Sequence, residues 1–577
     1  MKTLLFIICL FSVLIFSCKN NDSSQEIRVV EGAPEARYSC APVVSDTLWY
    51  FNDNKAPLFE GMSSHTYPIT TKSAEAQKYF DQGLVLSYGF NHAEAARSFY
   101  YATKLDPECA MCYWGYAYVL GPNYNAGMEE GNYERAYEAI QQALMLSQGV
   151  SEKEEALIEA MAARYGEFPV EDRSNLDRDY SAAMKKVQAV YPDDPEISAI
   201  YAESIMNLHP WDLYDKQGKA KEWTPEIVGL LEKVIKENPD HPGAHHFYIH
   251  AVEASSTPEM GFASAEAFDN DLVPGAGHLV HMPSHIYIRT GEYHKGTLAN
   301  IRAIQADSLY VGLCHAQGVY PLAYYPHNYH FMAATATLEG SKQWALEGAN
   351  KLSAHVHPDL MKQPGWGTLQ HFYVIPLYVM VKLGEWDAVI DSDLKTYDLP
   401  YPEAVKNYAV GMAYLRKGQP EKAREELAAL ENRAEDESLK EISIWEINTV
   451  DNLVQIARRV LQAEILAAEK NYTESISLLK EAVAIEDALN YDEPPDWFFS
   501  VRHHLGAVQI EAGLYEYAIN TYREDLQRLP KNGWAHHGLK LAYEHLGDNE
   551  NIKEIEDLIK DSWAYADISI SSSTIRE

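Results

Sequence analysis

Histidine side chains are crowded into one stretch of the chain, from His241 to His330. This stretch holds 11 of the 22 histidines in the 577 residues. Histidine is the commonest protein metal ligand, and it also transfers protons near neutral pH. The crowding therefore predicts a metal site or a catalytic site, provided that the fold brings these side chains together.

The histidines follow the spacing of one helical face, because residues three, four and seven apart lie on the same side of a helix. Three groups have this spacing: His246, His250 and Glu253; His278, His281 and His285; and His327 and His330. Two of the groups contain a pair of histidines one turn apart, which can bind one metal ion at about 2.0–2.1 Å when a neighbouring helix supplies a third ligand. Both a single metal site and a dinuclear site agree with this pattern.

Imidazole-rich ligation suits a transition metal such as zinc, copper, iron or nickel, whereas calcium and magnesium prefer oxygen ligands. Glu253 is a candidate general base beside such an ion. The alternative is a structural role, in which these histidines are core side chains that bond to backbone carbonyls or tyrosine hydroxyls.

The elements that must position these residues are paired helices. From Ala76 the chain reads AQKYFDQGLVLSYGFNHAEAARSFYYATKLDPE, which predicts a helix, a short turn and a second helix. In a 34-residue unit, small residues stand at the eighth (Gly83), twentieth (Ala95) and twenty-seventh (Ala102) positions. An aromatic residue stands at the twenty-fourth (Phe99), and a proline at the thirty-second (Pro107) ends the second helix. This pattern resembles the tetratricopeptide repeat (TPR), and similar units recur as far as residue 560.

The resemblance implies an all-α fold, an α-solenoid of stacked TPR-like helix pairs that form a superhelix with a concave groove. It also implies that the second, fifth, ninth and twelfth residues of each first helix face the groove, where all three histidine groups would meet. A peptide or protein partner in that groove is a further implication. The stretches HHFYIHAVEAS and PGAGHLVHMPSHIYIRTG resemble a subgroup of bacterial repeat proteins, from which no activity follows.

The chain divides into six parts on this interpretation. They are a signal segment (1–17), a tether with an N-terminal extension (18–72), N-terminal repeats (73–240), His-rich central repeats (241–360), C-terminal repeats (361–560) and a tail (561–577). The last residues, from Asp567, are rich in serine and threonine, and we expect them to fray.

The first residues predict export. Leu4 to Phe16 form a 13-residue apolar run after Lys2, too short to span a membrane. Ser17 and Cys18 end the run in a way that resembles the lipobox of bacterial lipoproteins. The resemblance implies cleavage before Cys18, lipid attachment to that cysteine and a location at the cell envelope, at the outer membrane. The alternative is an ordinary secretory signal that is cleaved elsewhere.

Formal net charge is −36, which argues against nucleic acid as a partner, because phosphate-backbone binding depends on lysine and arginine. Cys109 and Cys112 form a CxxC at a predicted helix start. The pair agrees with a local disulfide, with a redox pair or with two small residues that pack between helices.

Three functions remain open from the sequence. The first is a lipid-anchored solenoid that holds a transition metal in its groove, for binding or for metal-assisted chemistry. The second is a protein-interaction scaffold of the cell envelope without chemistry of its own. The third is an accessory lipoprotein in polysaccharide uptake or degradation, suggested by the lipobox and by the 39 tyrosines.

Overall fold

A computed structural model describes residues 49–50, 54–314 and 320–576 of the chain. Cys18, the signal segment and the first part of the tether lie outside these ranges. Within them, no helix combines the length and the apolar character that crossing a bilayer would require.

Helices make up almost all regular structure in the described part of the chain. The helices of the first half are α1 (Ala74–Tyr88), α2 (His92–Leu105), α3 (Ala110–Leu120), α4 (Tyr133–Leu146), α5 (Glu152–Ala162), α6 (Ser174–Val190), α7 (Pro195–Met206), α8 (Thr224–Glu237), α9 (Pro242–Val252), α10 (Phe262–Asp269), α11 (Gly277–His281), α12 (Pro283–Thr290) and α13 (Tyr293–Cys314). Those of the second half are α14 (Tyr325–Glu339), α15 (Lys342–His355), α16 (Gly367–Lys382), α17 (Trp386–Ile390), α18 (Pro400–Arg416), α19 (Pro420–Ala434), α20 (Val450–Ala468), α21 (Tyr472–Ala488), α22 (Arg502–Glu511), α23 (Tyr515–Arg528), α24 (Gly533–Leu546) and α25 (Asn549–Ser562).

Short elements connect some of these helices. A π-helical turn (Tyr320–Tyr324) precedes α14. Two strands of two residues each, β1 (Ser443–Ile444) and β2 (Asn448–Thr449), pair antiparallel in the connection before α20. Four 3₁₀ turns lie at Glu130–Asn132, Ser147–Gly149, Pro258–Gly261 and Glu437–Glu441.

Most helices pack against the next one along the chain, as the repeat register predicts. The aromatic ring of Phe99 on α2 fills the space beside two glycines, Gly83 on α1 and Gly115 on α3. A Cβ atom at Gly83 would lie 2.9 Å from this ring, and one at Gly115 would lie 2.4 Å from it. The same arrangement recurs where Tyr522 packs between Gly506 and Gly538. The protein is therefore an α-solenoid of TPR-like helix pairs, and the predicted fold class is confirmed.

The superhelix winds tightly enough for helices far apart in sequence to touch. Gly243 on α9 lies against the ring of Tyr88 on α1. In the second half, the Tyr293 hydroxyl donates to the Pro530 carbonyl (2.7 Å), and the Trp534 indole donates to the Thr337 carbonyl (2.8 Å). These contacts join repeats that are far apart in sequence, and the inner faces of the central helices are buried.

Two expectations from the sequence need correction. The unit that begins at Gly277 is split at Met282 into α11 and α12, because Pro283 has no N–H and starts a new helix. The tail does not fray: Ser573 is fully buried, and its neighbours contact several repeats.

Cys109 and Cys112 are joined in a disulfide with a Cα–Cα distance of 5.4 Å. The bond lies at the N-terminus of α3, where Cys109 is the capping residue and the Cys112 N–H donates to its sulfur (3.1 Å). Both cysteines are buried. The disulfide therefore fixes the first turn of a helix inside the repeat array.

The contact between Phe99 and Gly115 sets the spacing of two helix pairs. Substitution of Gly115 by alanine should lower the free energy of unfolding by about 1–3 kcal/mol, because the added methyl group overpacks against the ring. Chemical denaturation measures this change. Gly229, in the middle of α8, has open space around its Cα. Gly229→Ala is the control, and it should raise stability by about 0.5–1 kcal/mol through helix propensity alone.

Candidate metal centre

Six of the seven predicted histidines meet in the interior, carried by four helices. They form two groups of three, set one (His246, His250 and His278) and set two (His281, His285 and His327). Within each set, one nitrogen from every ring lies within 4.8 Å of the others. Pro242 and Pro283 occupy the first turns of α9 and α12 and fix where these helices start, which places the histidines on the inner face.

Set one joins α9 to α11. The Nε2 atoms of His246 and His278 are 3.2 Å apart. His250 lies one turn along α9 from His246, and its Nε2 has no hydrogen-bond partner among the described residues. Three ring nitrogens thus converge on one point in a part of the protein from which solvent is almost completely excluded.

Set two lies directly beside set one and joins α11, α12 and α14. The Nε2 atoms of His281 and His285 are 2.9 Å apart. The ring of His327 lies 5.1 Å from that of His281 and 5.9 Å from that of His285, measured between centroids. The two sets are adjacent, since the ring centroids of His250 and His285 are 5.4 Å apart.

Hydrogen bonds at Nδ1 decide which nitrogen faces the interior. His246 Nδ1 donates to the backbone carbonyl of Tyr88. His281 Nδ1 lies 2.8 Å from Asn300 Oδ1, and the Asn300 amide nitrogen donates to the Gly296 carbonyl (2.8 Å), which fixes the amide orientation. Because Nδ1 carries the proton in both rings, the unprotonated Nε2 atoms point into the two sets.

Glu253 links the two sets from outside. Its Oε1 accepts from His250 Nδ1 (2.8 Å), and its Oε2 lies 2.6 Å from His285 Nδ1. Glu493 approaches the same nitrogen of His285 at 3.2 Å. A lone pair facing two carboxylates would be repelled, so Nδ1 of His285 carries a proton and Nε2 faces His281. Glu253, only 1% exposed, therefore orients one histidine of each set.

Burial keeps most of these rings neutral, since desolvation disfavours the imidazolium form. It lowers the pKa values of five members: His246, His250, His278, His281 and His327. His285 differs, because Glu253 and Glu493 outweigh its burial and raise its pKa to about 9. Burial raises the pKa of Glu253, but His285 and His250 lower it to about 2. The neutral imidazole is the form that binds a metal ion.

One phenylalanine ring packs on each set. The ring of Phe90 lies 4.5 Å from that of His246 and also contacts His250 and His278. Phe90 adopts φ 51°, a left-handed conformation that costs a non-glycine residue about 1–3 kcal/mol. Phe331 contacts all three rings of set two, at 4.7–5.0 Å. These apolar walls exclude water from one side of the histidines.

A cavity of about 800 Å³ opens on the other side of the sets. His278, His285 and His327 line it, together with aromatic rings, asparagines and carboxyl groups: Tyr124, Trp211, Tyr324, Trp445, Asn123, Asn125, Asp492 and Glu493. A small molecule in this cavity would meet members of both sets.

Two of the carboxyl groups that line the cavity come from a connection that the repeat pattern does not describe. Asp492 and Glu493, with Asp496 close by, lie between α21 and α22 in the sequence DEPPDW. Burial raises the pKa values of Glu493 and Asp496 to about 7, and it raises that of Asp492, beside Asp496, well above its usual range. Acidic residues around two prolines in an insertion between helices are the sequence signal that could have indicated them.

His330 is not part of either set. Its ring stacks on Phe498 and also contacts Phe372 and His371, and neither of its nitrogens has a hydrogen-bond partner among the described residues. It lies one turn beyond the cavity and packs in the core of the second half of the chain.

A third group, His65, Glu196 and His241, also brings its ligand atoms within 4.8 Å. Nδ1 of His241 accepts the Ala244 N–H (3.1 Å) as the cap of α9, so the ring proton is on Nε2 and faces Glu196 at 3.5 Å. Tyr88 and His65 also contact this carboxylate. The geometry is that of a buried carboxylate surrounded by donors, and we assign no metal to it.

No family model matches the chain, and no curated protein matches it. Solved structures of helical-repeat proteins resemble it over most of its length. A human IFIT1 dimer with m7Gppp-AAAA is 15% identical over 87% of this chain and 92% of its own, with a TM-score of 0.31. Yeast Tom70 is 12% identical over 84% and 99%, with a TM-score of 0.32, and the P58(IPK) TPR domain is 12% identical over 85% and 98%, with a TM-score of 0.20. The identities and TM-scores are too low for the ligands of these proteins to indicate a ligand of this chain.

The charge of His285 should make stability depend on pH in metal-free protein. Its pKa is about 9 in the fold and about 6.5 in an unfolded chain. The imidazolium therefore stabilises the fold fully below pH 6.5, and this contribution is lost as the pH rises through 9. We expect the difference in free energy of unfolding between wild type and His285→Asn, measured by urea denaturation with a chelator present, to shrink from pH 7 to pH 10.

His545 is exposed and stacks on Tyr515 far from the sets, so His545→Asn is the control. Its difference from wild type should be the same at both pH values. A difference for His285→Asn that stays constant or grows with pH contradicts the assignment of a charged His285.

Proposed function

We propose that the protein is a lipid-anchored, extracytoplasmic TPR-like protein whose two histidine sets bind transition-metal ions next to a ligand cavity. One observation carries the proposal. The Nε2 atoms of His246 and His278, and those of His281 and His285, face each other at 3.2 and 2.9 Å with Nδ1 of His246 and His281 held by hydrogen bonds. Two such lone pairs repel unless a proton or a metal ion lies between them.

The distances agree with ligation of a single ion by each pair. Two nitrogens bound at about 2.0–2.1 Å lie about 3.3 Å apart at a tetrahedral angle and about 2.9 Å apart at a right angle. In metal-free protein a proton joins each pair of nitrogens, and in set two His285 supplies it. What favours a metal ion over a proton is the third ring nitrogen that lies within 4.8 Å of the other two in each set. The pattern of Nδ1 bonded outward and Nε2 directed inward is the usual support of a metal-binding histidine.

All six proposed ligands are imidazoles, and carboxylates take part only from outside. This donor set suits zinc, copper or iron, and it suits calcium and magnesium poorly. When bound, such an ion supplies Lewis acidity or, in the case of copper or iron, electron transfer. His285 adds a specific requirement, because the ion must displace the proton that its pKa of about 9 retains.

The remaining residues have separate roles in this proposal. Glu253 orients His250 and His285, and we assign it this positioning role because both of its oxygens already face ring nitrogens. Phe90 and Phe331 exclude water from the ligands. Asp492 and Glu493 face the cavity, where they can hold or deliver a proton to a bound molecule.

The location is part of the same proposal. The lipobox-like sequence ending at Cys18 supports lipid attachment and a place at the cell envelope, at the outer membrane. The disulfide between Cys109 and Cys112 supports an oxidising compartment, because such bonds are rare where thiols are kept reduced.

A scaffold function in the cell envelope is the second candidate, and it need not exclude the first. The observation that favours it is the chain's own tail, whose Ser573 and Arg576 are held by residues of the C-terminal repeats. A net charge of −36 continues to argue against nucleic acid as a partner. A role in polysaccharide uptake or degradation stays a prediction from the sequence.

Metal content decides the proposal. Protein purified without an affinity tag from metal-replete cells should contain about two equivalents of transition metal per chain, one for each set, by mass spectrometry of the elements. The double variant His281→Ala, His285→Ala should retain about one equivalent, because only set one keeps its three nitrogens.

His545→Ala removes an exposed imidazole far from the cavity and should leave the metal content unchanged. A wild-type content below about a tenth of an equivalent of any transition metal overturns the metal proposal, because sites built from three histidines bind tightly enough to survive purification.

The lipid anchor has its own test. Wild-type protein expressed with its first residues should incorporate labelled palmitate and partition into the detergent phase of a phase-separating detergent, because one acyl chain alone gives only marginal membrane binding and lipoproteins carry more than one. Cys18→Ala should lose both properties. Ser17→Ala, which keeps a small residue before the cysteine, is the matched control. Label in the Cys18→Ala protein would contradict the assignment.

A further inference from the structure

The last residues of the chain pack against earlier repeats. After α25, Trp563 packs against Gly340 and Gly533, two positions without a side chain. The carboxylate of Asp567 then accepts from the backbone N–H groups of Lys342 (2.6 Å) and Gln343 (3.0 Å), at the start of α15. The tail therefore returns from the C-terminal end of the solenoid to helices more than 200 residues earlier.

Ser573 is held through its hydroxyl and its carbonyl. Its side chain is fully buried, and its hydroxyl donates to the His503 carbonyl (2.7 Å) while the Tyr522 hydroxyl lies 2.7 Å from the same oxygen. Its carbonyl accepts from Lys382 Nζ (3.0 Å). These contacts leave no space for a larger side chain at this position.

Lys382 is an unusual donor, because it is buried. Its Nζ lies 2.8 Å from His503 Nδ1 and 3.8 Å from the centroid of the Trp534 ring. Nε2 of His503 in turn lies 2.9 Å from Asp525. A lysine, a histidine and an aspartate are thus buried in a row that ends at the backbone of the tail.

Ile575 and Arg576 complete the contact. Ile575 lies over Gly384, where a Cβ atom would come within 2.6 Å of its side chain. Arg576 pairs with Glu464 (2.8 Å) and with Glu511, and its Nε donates to Thr574 (3.1 Å). Backbone, apolar side chain and cation are therefore each recognised by a different part of the surface.

Most of the residues that contact the tail come from first helices of helix pairs, and Tyr522 comes from a second helix, α23. Lys382 is on α16, Glu464 on α20, and His503 and Glu511 on α22. In a solenoid of helix pairs, the first helices form the concave face. The tail lies across this face as a peptide ligand would, although it belongs to the same chain.

We propose that residues 573–576 are an intramolecular peptide ligand, and that this groove is a recognition site for a partner segment with serine, an apolar residue and arginine in the same spacing. Purely structural docking of a tail would be achieved at lower cost by apolar packing than by burying a lysine and two carboxylates. Buried charges that depend on a particular partner discriminate between sequences, because a wrong partner leaves them unpaired.

Covalent attachment of the tail to the repeats explains how such a site would be controlled. A segment attached through a short linker competes at an effective concentration on the order of millimolar, so a free peptide of equal intrinsic affinity binds the intact chain weakly. A partner segment must therefore bind more tightly than the tail or arrive at high local concentration. This inference is independent of the metal proposal.

The test uses the full chain and a fluorescently labelled synthetic peptide of residues 569–577. Ile575→Asp combined with Arg576→Glu should release the tail. The first change places a carboxylate in the apolar contact over Gly384, and the second places one beside Glu464 and Glu511. We expect this double variant to bind the peptide at least about tenfold more tightly than wild type, by fluorescence anisotropy. Ser571→Asp alters an exposed tail residue and should behave as wild type. A peptide with both substitutions should not bind.

A folded double variant that does not bind the peptide, or that binds both peptides equally, overturns the proposal. Hydrogen exchange on the wild-type chain gives a second measurement that does not depend on the folding of a variant. Excess wild-type peptide should speed exchange of the tail amides at 571–576, and the substituted peptide should not. Unchanged exchange would mean that the tail is a permanent part of the fold, and would overturn the proposal as well.

Discussion

Close contact between paired helices is the constraint on which the rest of the structure depends. Where Gly83 and Gly115 leave room for the ring of Phe99, three helices approach more closely than side chains would otherwise permit. Repetition of this spacing curves the array until α1 meets α9. Without that curvature the inner faces of α9, α11 and α14 would face an open groove filled with water, and burial would not lower the pKa values of the histidines.

Much of this could be predicted from the sequence, because it depends on local periodicity. The 34-residue register located the helix pairs, and helical spacing selected His246, His250, His278, His281, His285 and His327, which the structure brings together. It also selected His330, whose ring turns into the core against Phe498. The repeat register alone does not distinguish a histidine that faces the groove from one that packs in the core, since both lie on the inward side of a tightly wound solenoid.

What the sequence could not predict depends on contacts between distant segments. The carbonyl of Tyr88 accepts a hydrogen bond from His246, 158 residues later. Glu493 reaches His285 from an insertion that has no repeat pattern. The tail has a composition typical of frayed ends, and its burial depends on Lys382 and Glu464, which no local rule connects to it. Each of these requires the closed shape before it can form.

Contacts between Tyr293 and Pro530 and between Trp534 and Thr337 change what kind of repeat protein this is. In an open solenoid each repeat contacts only its neighbours, so stability adds up along the chain and folding can spread from any point. Here the winding joins segments some 200 residues apart, which replaces a linear array by one cooperative unit. Closing such long loops is slow, so folding should resemble that of a globular domain of high contact order. Removal of the last repeats would then also destabilise the two histidine sets, although no side chain of those repeats belongs to either set.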